Sequence, residues 1–491
     1  MVRAPRSGYH GGMVRTRVPP GAIPQPVLEL CRRFRAHGAR AWVVGGCLRD
    51  LLLDREVSDW DLATSAEPDA VTRMFRRVIP TGTAHGTVTV LHRGEAFEVT
   101  TLRGEGAYAD GRRPDSVHFV DDIEDDLARR DFTVNAMAYD PLEDRLVDPF
   151  GGLDDLRAGV LRAVGDPRRR FAEDGLRILR GARFVATLEL ELEPDTRAAF
   201  EGALDTFRKV SRERVREEWL KTMRARRPSR AFAVMRDTGI LGVTFPALLE
   251  QVGCEQNRWH AYDVWEHTMR VLDESTGGPV ERVAALLHDV AKPRTRAVSE
   301  TTGDYTFYDH ERVGAEMADR WLREYRFSKA EREVIVHLVR HHLVCYRPEW
   351  TDAAVRRFVR RVGEDHLDAL LRLARADALG KGRDVSEELA LLDALRDRVE
   401  GVLREGAALS TSDLAIDGRD VLERVGGRGG PVVGRVLRAV LERVVDDPSL
   451  NERARLLTLL DGLVPELLAE DAARRPGAPG ETPAGGDEAK S

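Results

Sequence analysis

Residues 41–62 read AWVVGGCLRDLLLDREVSDWDL, and their order decides how the first part of the chain must fold. AWVV is a run of apolar residues, which suits a buried strand. Gly45-Gly46 breaks that run, and Cys47–Leu53 reads as a helix starting at the break. The two glycines remove side chains where backbone N–H groups at a helix N-terminus can approach a phosphate. A glycine pair before a helix is most often only a turn, so the next element matters more. Ser58-Asp59-Trp60-Asp61-Leu62 carries two aspartates two positions apart. On a strand, residues i and i+2 share a face, roughly 6.5 Å apart at Cα. Two carboxylates so placed can hold divalent cations. Two Mg²⁺ ions there would activate an attacking 3′-hydroxyl and neutralise charge on an α-phosphate and its leaving pyrophosphate. An isolated D-x-D usually marks a solvated loop, but the short connection from G-G-x-x-R-D makes this combination uncommon by chance.

Further along, HGTVTVLH and AFEVTTL, joined by Arg93-Gly94-Glu95, read as a β-hairpin, and SVHFV as another β-rich run. Glu98 alternates with Phe97 and Val99, so it points away from the face they bury and is a candidate third carboxylate. An ordinary polar position on a half-exposed strand explains it equally well. From about residue 155 onward, Leu, Ala and Val recur three and four apart among Arg and Glu, the helical period. The fold class is therefore α+β, a small α/β head followed by a long all-α body, with no short internal repeat.

A chain of 491 residues accommodates three or four domains. Its 42% hydrophobic and 32% charged residues describe a soluble globular protein. No stretch approaches the ~20 apolar residues that span a bilayer. The N-terminal segment has charges but no apolar core, so it does not read as a secretory signal, and Met13 is an alternative start. Cys31, Cys47, Cys254 and Cys345 are far apart, which implies neither a disulfide framework nor a zinc knuckle and suits a reducing cytoplasm. A net charge of −7 argues only weakly against nucleic acid, because binding depends on local patches. Residues 208–230 hold ten Lys/Arg against three Glu. That segment is either a phosphate-tracking surface or a solvated helix laced with i,i+4 pairs.

GGCLRD, DWD, EVTTLR…DGRRPD and LARRDFTVNAMAYD together resemble the head of class II tRNA nucleotidyltransferases, the CCA-adding enzymes and their bacterial poly(A) polymerase relatives. The resemblance covers roughly residues 30–245 closely and 410–465 more loosely. It implies a polymerase-β-like palm followed by helical neck, body and tail. By the same resemblance Gly45, Gly46 and Arg49 would hold the triphosphate, and Asp59 and Asp61 the Mg²⁺ ions; Glu98, from its alternation alone, stays the candidate third catalytic carboxylate. Arg130, Asp131 and Asn135 would contact the nucleotide's ribose and phosphates. On its own, R-R-D reads as a charge cluster at a helix start. The polar stretch Gly104–Pro114 would be the loop that helps switch between adding C and adding A.

FAEDGLRILRGARF (171–184) reads as one amphipathic helix with Glu173, Asp174 and Arg177 on one side. Taken alone, that triplet is a surface ion pair. In the resembled family it is the E-D-x-x-R motif, whose side chains stand in for a template base. The chemistry fits, since cytosine and adenine each present an exocyclic amino donor beside a ring-nitrogen acceptor. A carboxylate accepts from the first while a guanidinium donates to the second. Asp174 and Arg177 are thus the expected base readers, with Glu173 orienting Arg177. Gly175 is expected to loosen the helix by about 0.5–1 kcal/mol.

Eight of the thirteen histidines fall between 260 and 366. Glu266-His267, His288-Asp289, His310-Glu311, His341-His342 and Asp377 follow the order H…HD…D, which resembles the HD phosphohydrolase superfamily. That resemblance assigns His267, His288, Asp289 and Asp377 to a metal site, and such ligands suit a divalent transition metal. His310 and either His341 or His342 are candidates for a second ion. Phosphatase or 2′,3′-cyclic phosphodiesterase activity is what the resemblance implies there.

The expected divisions are a disordered 1–24, a nucleotidyltransferase head 25–153, a neck and body 154–250, an HD domain 251–385, a tRNA-binding tail 386–471 and a disordered 472–491. The leading expectation is a cytoplasmic enzyme that adds CCA to tRNA from CTP and ATP, with no membrane or DNA partner. CC-adding, A-adding and poly(A)-polymerase activities share every motif above. A protein-uridylylating enzyme also joins a nucleotidyltransferase to an HD domain, but R-R-D-x-x-x-N and E-D-x-x-R argue against it. A non-catalytic RNA-binding protein is disfavoured by the intact D-x-D and H…HD…D sets.

Overall fold

The chain was described from a computed structural model, which covers residues 14–82, 86–104, 118–406, 408–427 and 429–474. The loop expected at 104–114 lies outside these residues except for Gly104. The observed architecture is α+β, with strands concentrated in the head.

Seven strands form the head sheet: β1 Ala41–Val44, β2 Asp61–Thr64, β3 Val78–Gly82, β4 Thr87–His92, β5 Glu95–Thr101, β6 Ala138–Asp140 and β7 Arg145–Val147. Their spatial order is β3-β4-β5-β2-β1-β6-β7, and every pairing is antiparallel except that of β2 with β5. All of β1 is buried. Trp42 and Val44 share one face and pack with Ala63, Leu102, Leu127 and Ala138. The hairpin turn is tighter than expected. It holds only Arg93-Gly94, both at positive φ, while Glu95 is already paired with His92. A two-residue turn of this kind matches the right-handed twist of the flanking strands.

Residues 14–24, expected to be disordered, are instead packed. Val18 and Ile23 are buried, and the Arg15 amide donates to the Leu52 carbonyl at 2.8 Å. Residues 1–13 lie outside the description. The helix Arg453–Arg474 runs past the expected end at 471.

The chain divides into two compact units, residues 1–342 with 376–383, and residues 343–375 with 384–491. The first holds the head sheet and the helices that follow it, including Pro167–Glu173, Leu176–Thr187, Arg212–Thr222, Val264–Glu274, Pro279–Leu287, His310–Glu324 and Lys329–His341. The second is helical, with Val436, Val440, Val444, Leu456 and Leu460 at the centre of its apolar cluster. There the Arg356 guanidinium donates to the Val445 and Asp446 carbonyls, satisfying the end of the Pro431–Asp446 helix. No described helix is long and apolar enough to cross a membrane.

Candidate active site

A cleft of about 720 Å³ opens at the carboxyl side of the G-G turn and is lined by residues of the head and of the helices after it. Gly45 adopts φ +72°, and a Cβ there would lie 3.1 Å from Arg130 Nη1. Any side chain would therefore be strained and would close the cleft floor. Asp61 opens β2, and Asp59 precedes the strand rather than lying on it. Both still line the cleft. Glu98 is directly across from Asp61 in the parallel β2–β5 register, with Phe97 and Val99 buried on the opposite face. Burial first, then the charges of Glu98 and Asp59, push the Asp61 carboxyl up to about 6 against the opposing pull of Arg130. Asp59, Asp61 and Glu98 bring three carboxylates to one cleft, and carboxylate oxygens are the donors that a divalent, oxygen-seeking ion takes.

The R-R-D-x-x-x-N residues join this floor to the next helix. Arg129 and Arg130 close the helix Ile123–Ala128 instead of starting one, and both pair with buried Asp126, at 2.6 and 3.1 Å. Arg49 Nη1 donates to Asn135 Oδ1 at 2.6 Å, and Asn135 Nδ2 donates to Asp131 Oδ1 at 3.1 Å. Arg180 Nε donates to Asp131 Oδ2 at 2.7 Å. Burial opposes ionisation of Asp131. The Arg180 charge and the bonds from Asn135 and Arg180 outweigh it and hold the carboxyl well below its ordinary range.

The stretch 171–184 is not one helix. Pro167–Glu173 stops, Asp174 is extended at φ −146°, and Leu176–Thr187 begins anew with Asp174 Oδ1 accepting from the Leu176 amide at 3.0 Å. The irregular backbone is at Asp174, while Gly175 beside it is helical at φ −61° and is required for packing. A Cβ there would sit 2.4 Å from the Phe207 backbone nitrogen and 2.5 Å from its Cα, so the Leu204–Arg208 helix is allowed this close only by glycine. The loosening expected of this glycine is thus replaced by a packing requirement at a break. Glu173 Oε2 accepts from Arg177 Nη1 at 2.6 Å, and Arg177 also donates to the Arg170 and Arg129 carbonyls. Those three bonds leave two of its five N–H groups available. Asp174 and Arg177 both line the cleft, whereas Glu173 stands behind Arg177.

Arg180 and Arg183 in the cleft lining were missed by sequence reading, and Arg214 and Lys221 reach it from the 208–230 segment. A signal was present in part, because Arg177, Arg180 and Arg183 recur every three residues and so form one stripe on a helix. Arg183 donates to buried Glu218 at 2.6 Å. Within the 208–230 segment, Arg212, Arg214 and Arg216 are engaged with Glu324, Asp174 and the Arg326 carbonyl, so they are not a free phosphate track.

The histidine-rich region builds a second cluster. His267 Nε2 lies 3.3 Å from His288 Nε2 and 3.0 Å from Asp377 Oδ1, and His288 Nε2 lies 3.1 Å from Asp289 Oδ2. On the other side of Asp289, its Oδ1 is 3.4 Å from His310 Nε2 and 3.7 Å from His342 Nε2. His342, not its neighbour His341, completes this second triplet. The Nδ1 atoms of His288, His310 and His342 face the carbonyls of Ala285, Phe307 and Val339 at 2.6–2.7 Å. Such pairing keeps the proton on Nδ1 and turns an Nε2 lone pair inward. Burial first, then His288, hold His342 down to about 3. For His288 burial works against the charge, but Asp289 beside it prevails and raises it. Lone pairs of His310 and His342 facing each other at 3.2 Å are what a divalent cation would satisfy. Lys292 Nζ, 2.6 Å from Asp289 Oδ2, is a further residue that the motif reading passed over.

With this geometry in view, residues 41–162 match the family described as "Poly A polymerase head domain". Residues 189–251 match "Probable RNA and SrmB- binding site of polymerase A", and 260–381 match "HD domain". The CCA-adding enzyme of Lactobacillus delbrueckii subsp. bulgaricus is 32% identical over 441 residues, covering 89% of this chain and 96% of that protein. That of Lactobacillus helveticus is 48% identical over 213 residues, 43% of this chain and about half, 52%, of that protein. A crystal structure of the Bacillus stearothermophilus CCA-adding enzyme in complex with CTP superposes with a TM-score of 0.68 at 28% identity, covering 91% of this chain and 98% of that one.

Proposed function

The chain belongs to the family of CCA-adding enzymes, and we propose that it adds CCA to tRNA 3′ ends from CTP and ATP without a template. The observation that carries this reading is the pairing, in one cleft, of a carboxylate triad with an acceptor–donor pair suited to C and A. Asp59, Asp61 and Glu98 would hold Mg²⁺. When bound, such ions supply charge neutralisation and an activated 3′-hydroxyl. Gly45 and Gly46 leave room for the triphosphate, and Arg49 and Arg130 face its oxygens. Asp131 and Asn135 contact the sugar edge. The bond from the 3′-oxygen to the α-phosphorus forms as the α–β bridge breaks and pyrophosphate leaves.

Base choice follows from hydrogen-bond polarity. Asp174 accepts from the exocyclic amine of cytosine or adenine, and one of the uncommitted N–H groups of Arg177 donates to the ring nitrogen. Uracil and guanine present a carbonyl and an N–H at those positions and leave both side chains unpaired, which is costly in a partly buried cleft. A tRNA substrate supports a cytoplasmic location. The HD centre acts as a metal-dependent phosphohydrolase, with a transition metal favoured by its imidazole-rich ligand set.

The test offers purified protein a tRNA lacking its 3′ CCA, with CTP, ATP or both. Addition of C, C and then A is expected. No incorporation in any mixture would overturn the proposal. A alone, only on a tRNA already ending in CC, would mark an A-adding enzyme, and an unbounded A tail a poly(A) polymerase.

A further inference from the structure

The helix Arg212–Thr222 shows its arginines to different neighbours. Arg212 and Arg216, four apart, share a face. Arg212 donates to Tyr325 Oη at 3.0 Å and pairs with Glu324 at 2.9 Å, while Arg216 donates to the Arg326 carbonyl. Arg214 is two positions from each and turns the other way, where its Nη2 donates to Asp174 Oδ2 at 2.7 Å. One turn further on the same side, Glu218 accepts from Arg183. One face of this helix is therefore anchored, and the opposite face borders the nucleotide cleft.

We propose that Arg214 is a positioning residue for base selection, holding the Asp174 carboxylate in the one orientation that distinguishes an amine from a carbonyl. This rests on the reading of Asp174 as the base acceptor. Asp174 sits in the break between two helices, so no helical backbone fixes its side chain. Two donors do so instead. The Leu176 amide holds Oδ1 at 3.0 Å and Arg214 holds Oδ2 at 2.7 Å, each from a different helix. A carboxylate pinned at both oxygens cannot swing away from a uracil O4 or a guanine O6, and the unfavourable contact remains in force against the wrong base. Released at Oδ2, the same carboxylate turns aside and tolerates the mismatch. Arg214 is thus expected to govern the ratio between correct and incorrect nucleotides more than the rate of the correct one.

The experiment measures kcat/KM for CTP and for UTP on a tRNA lacking its 3′ CCA. It compares wild type, Arg214→Ala, Arg214→Lys and Asp174→Asn, with melting temperatures for all. In Arg214→Ala the CTP:UTP preference should fall about tenfold, through a lower KM for UTP and a higher KM for CTP. Arg214→Lys, which keeps the charge but loses the planar fork, should recover part of the preference. A drop in overall rate with the preference unchanged in Arg214→Ala overturns the proposal. If the preference also survives Asp174→Asn, the base-acceptor reading itself has failed. If it collapses in Asp174→Asn alone, only the role given to Arg214 has.

Discussion

The carboxylate cleft at Asp59, Asp61 and Glu98 and the histidine centre at His267, His288, Asp289 and Asp377 both concentrate negative charge, by opposite constructions. In the cleft Asp59 and Glu98 are exposed and Asp61 is half-buried, with Asp61 and Glu98 on neighbouring strands and Asp59 just before one, and Arg130 pulls against their mutual repulsion. In the histidine centre the ligands come from two helices and from the turn that ends a third, where His288 and Asp289 are neighbours, and they are buried, with only Asp377 noticeably open, at 19% of its side chain. There the charges that face Asp289 are those of His288 and Lys292. The difference teaches that an open oxygen-only site suits a large substrate that brings its own phosphates. A closed nitrogen-rich site retains its ion and admits a small ester.

The largest test of that contrast is Asp61→Asn. Nucleotide incorporation should fall by about a thousandfold or more, with phosphoester hydrolysis by the HD centre unchanged. Loss of both would erase the distinction. The same variant carries a stability signature. The Asp61 carboxyl is raised to about 6 in the fold, so ionising it costs stability above that pH and costs nothing below its ordinary value, where it is neutral folded or unfolded. In chelator, Asp61→Asn should therefore melt at or above wild type at pH 8, with the gap closing toward pH 4.

Next in size, His288→Ala should lower hydrolysis by about a hundredfold or more and reduce bound transition metal measured by elemental analysis. Incorporation should stay within about twofold of wild type; a large fall there would show that the two sites are not independent. Gly175→Ala comes third. The added methyl meets the Phe207 backbone at 2.4 Å, so a destabilisation of about 2–4 kcal/mol is expected, read by urea unfolding. A neutral result would mean that the Leu204–Arg208 helix yields easily. Smallest is His341→Ala, which should leave metal content and hydrolysis unchanged while His342→Ala lowers both.

The order of difficulty in reading these features from sequence is itself physical. G-G, D-x-D and H…HD…D are local patterns in which residue type nearly dictates chemistry, and the alternation around Glu98 correctly told its face. That Glu98 stands opposite Asp61 depends on a parallel pairing between strands far apart in sequence, which no local pattern encodes. The break at Asp174-Gly175 escaped for a similar reason. The periodicity on either side continues as if unbroken, and the neighbour that demands glycine at 175, the Phe207 backbone, is thirty-odd residues away. The ordered segment 14–24 was hidden by its Pro and Gly content, although burying Val18 and Ile23 is enough to tether it. His341 and His342 are chemically identical neighbours, and only the direction of a helix end separates them.

The register of β2 and β5 has one more consequence, in terms of tolerated genetic change. Phe97 and Val99 are buried and outside the cleft lining, yet they decide which way Glu98 faces, because a slip of one residue would carry both into water and Glu98 into the core. The two-residue turn at Arg93-Gly94 leaves no slack to absorb such a slip. Point substitutions on this hairpin's solvent face, Glu98 excepted, should be widely accepted. A single inserted or deleted codon between 93 and 98 would invert the parity of the strand and disarm the enzyme outright.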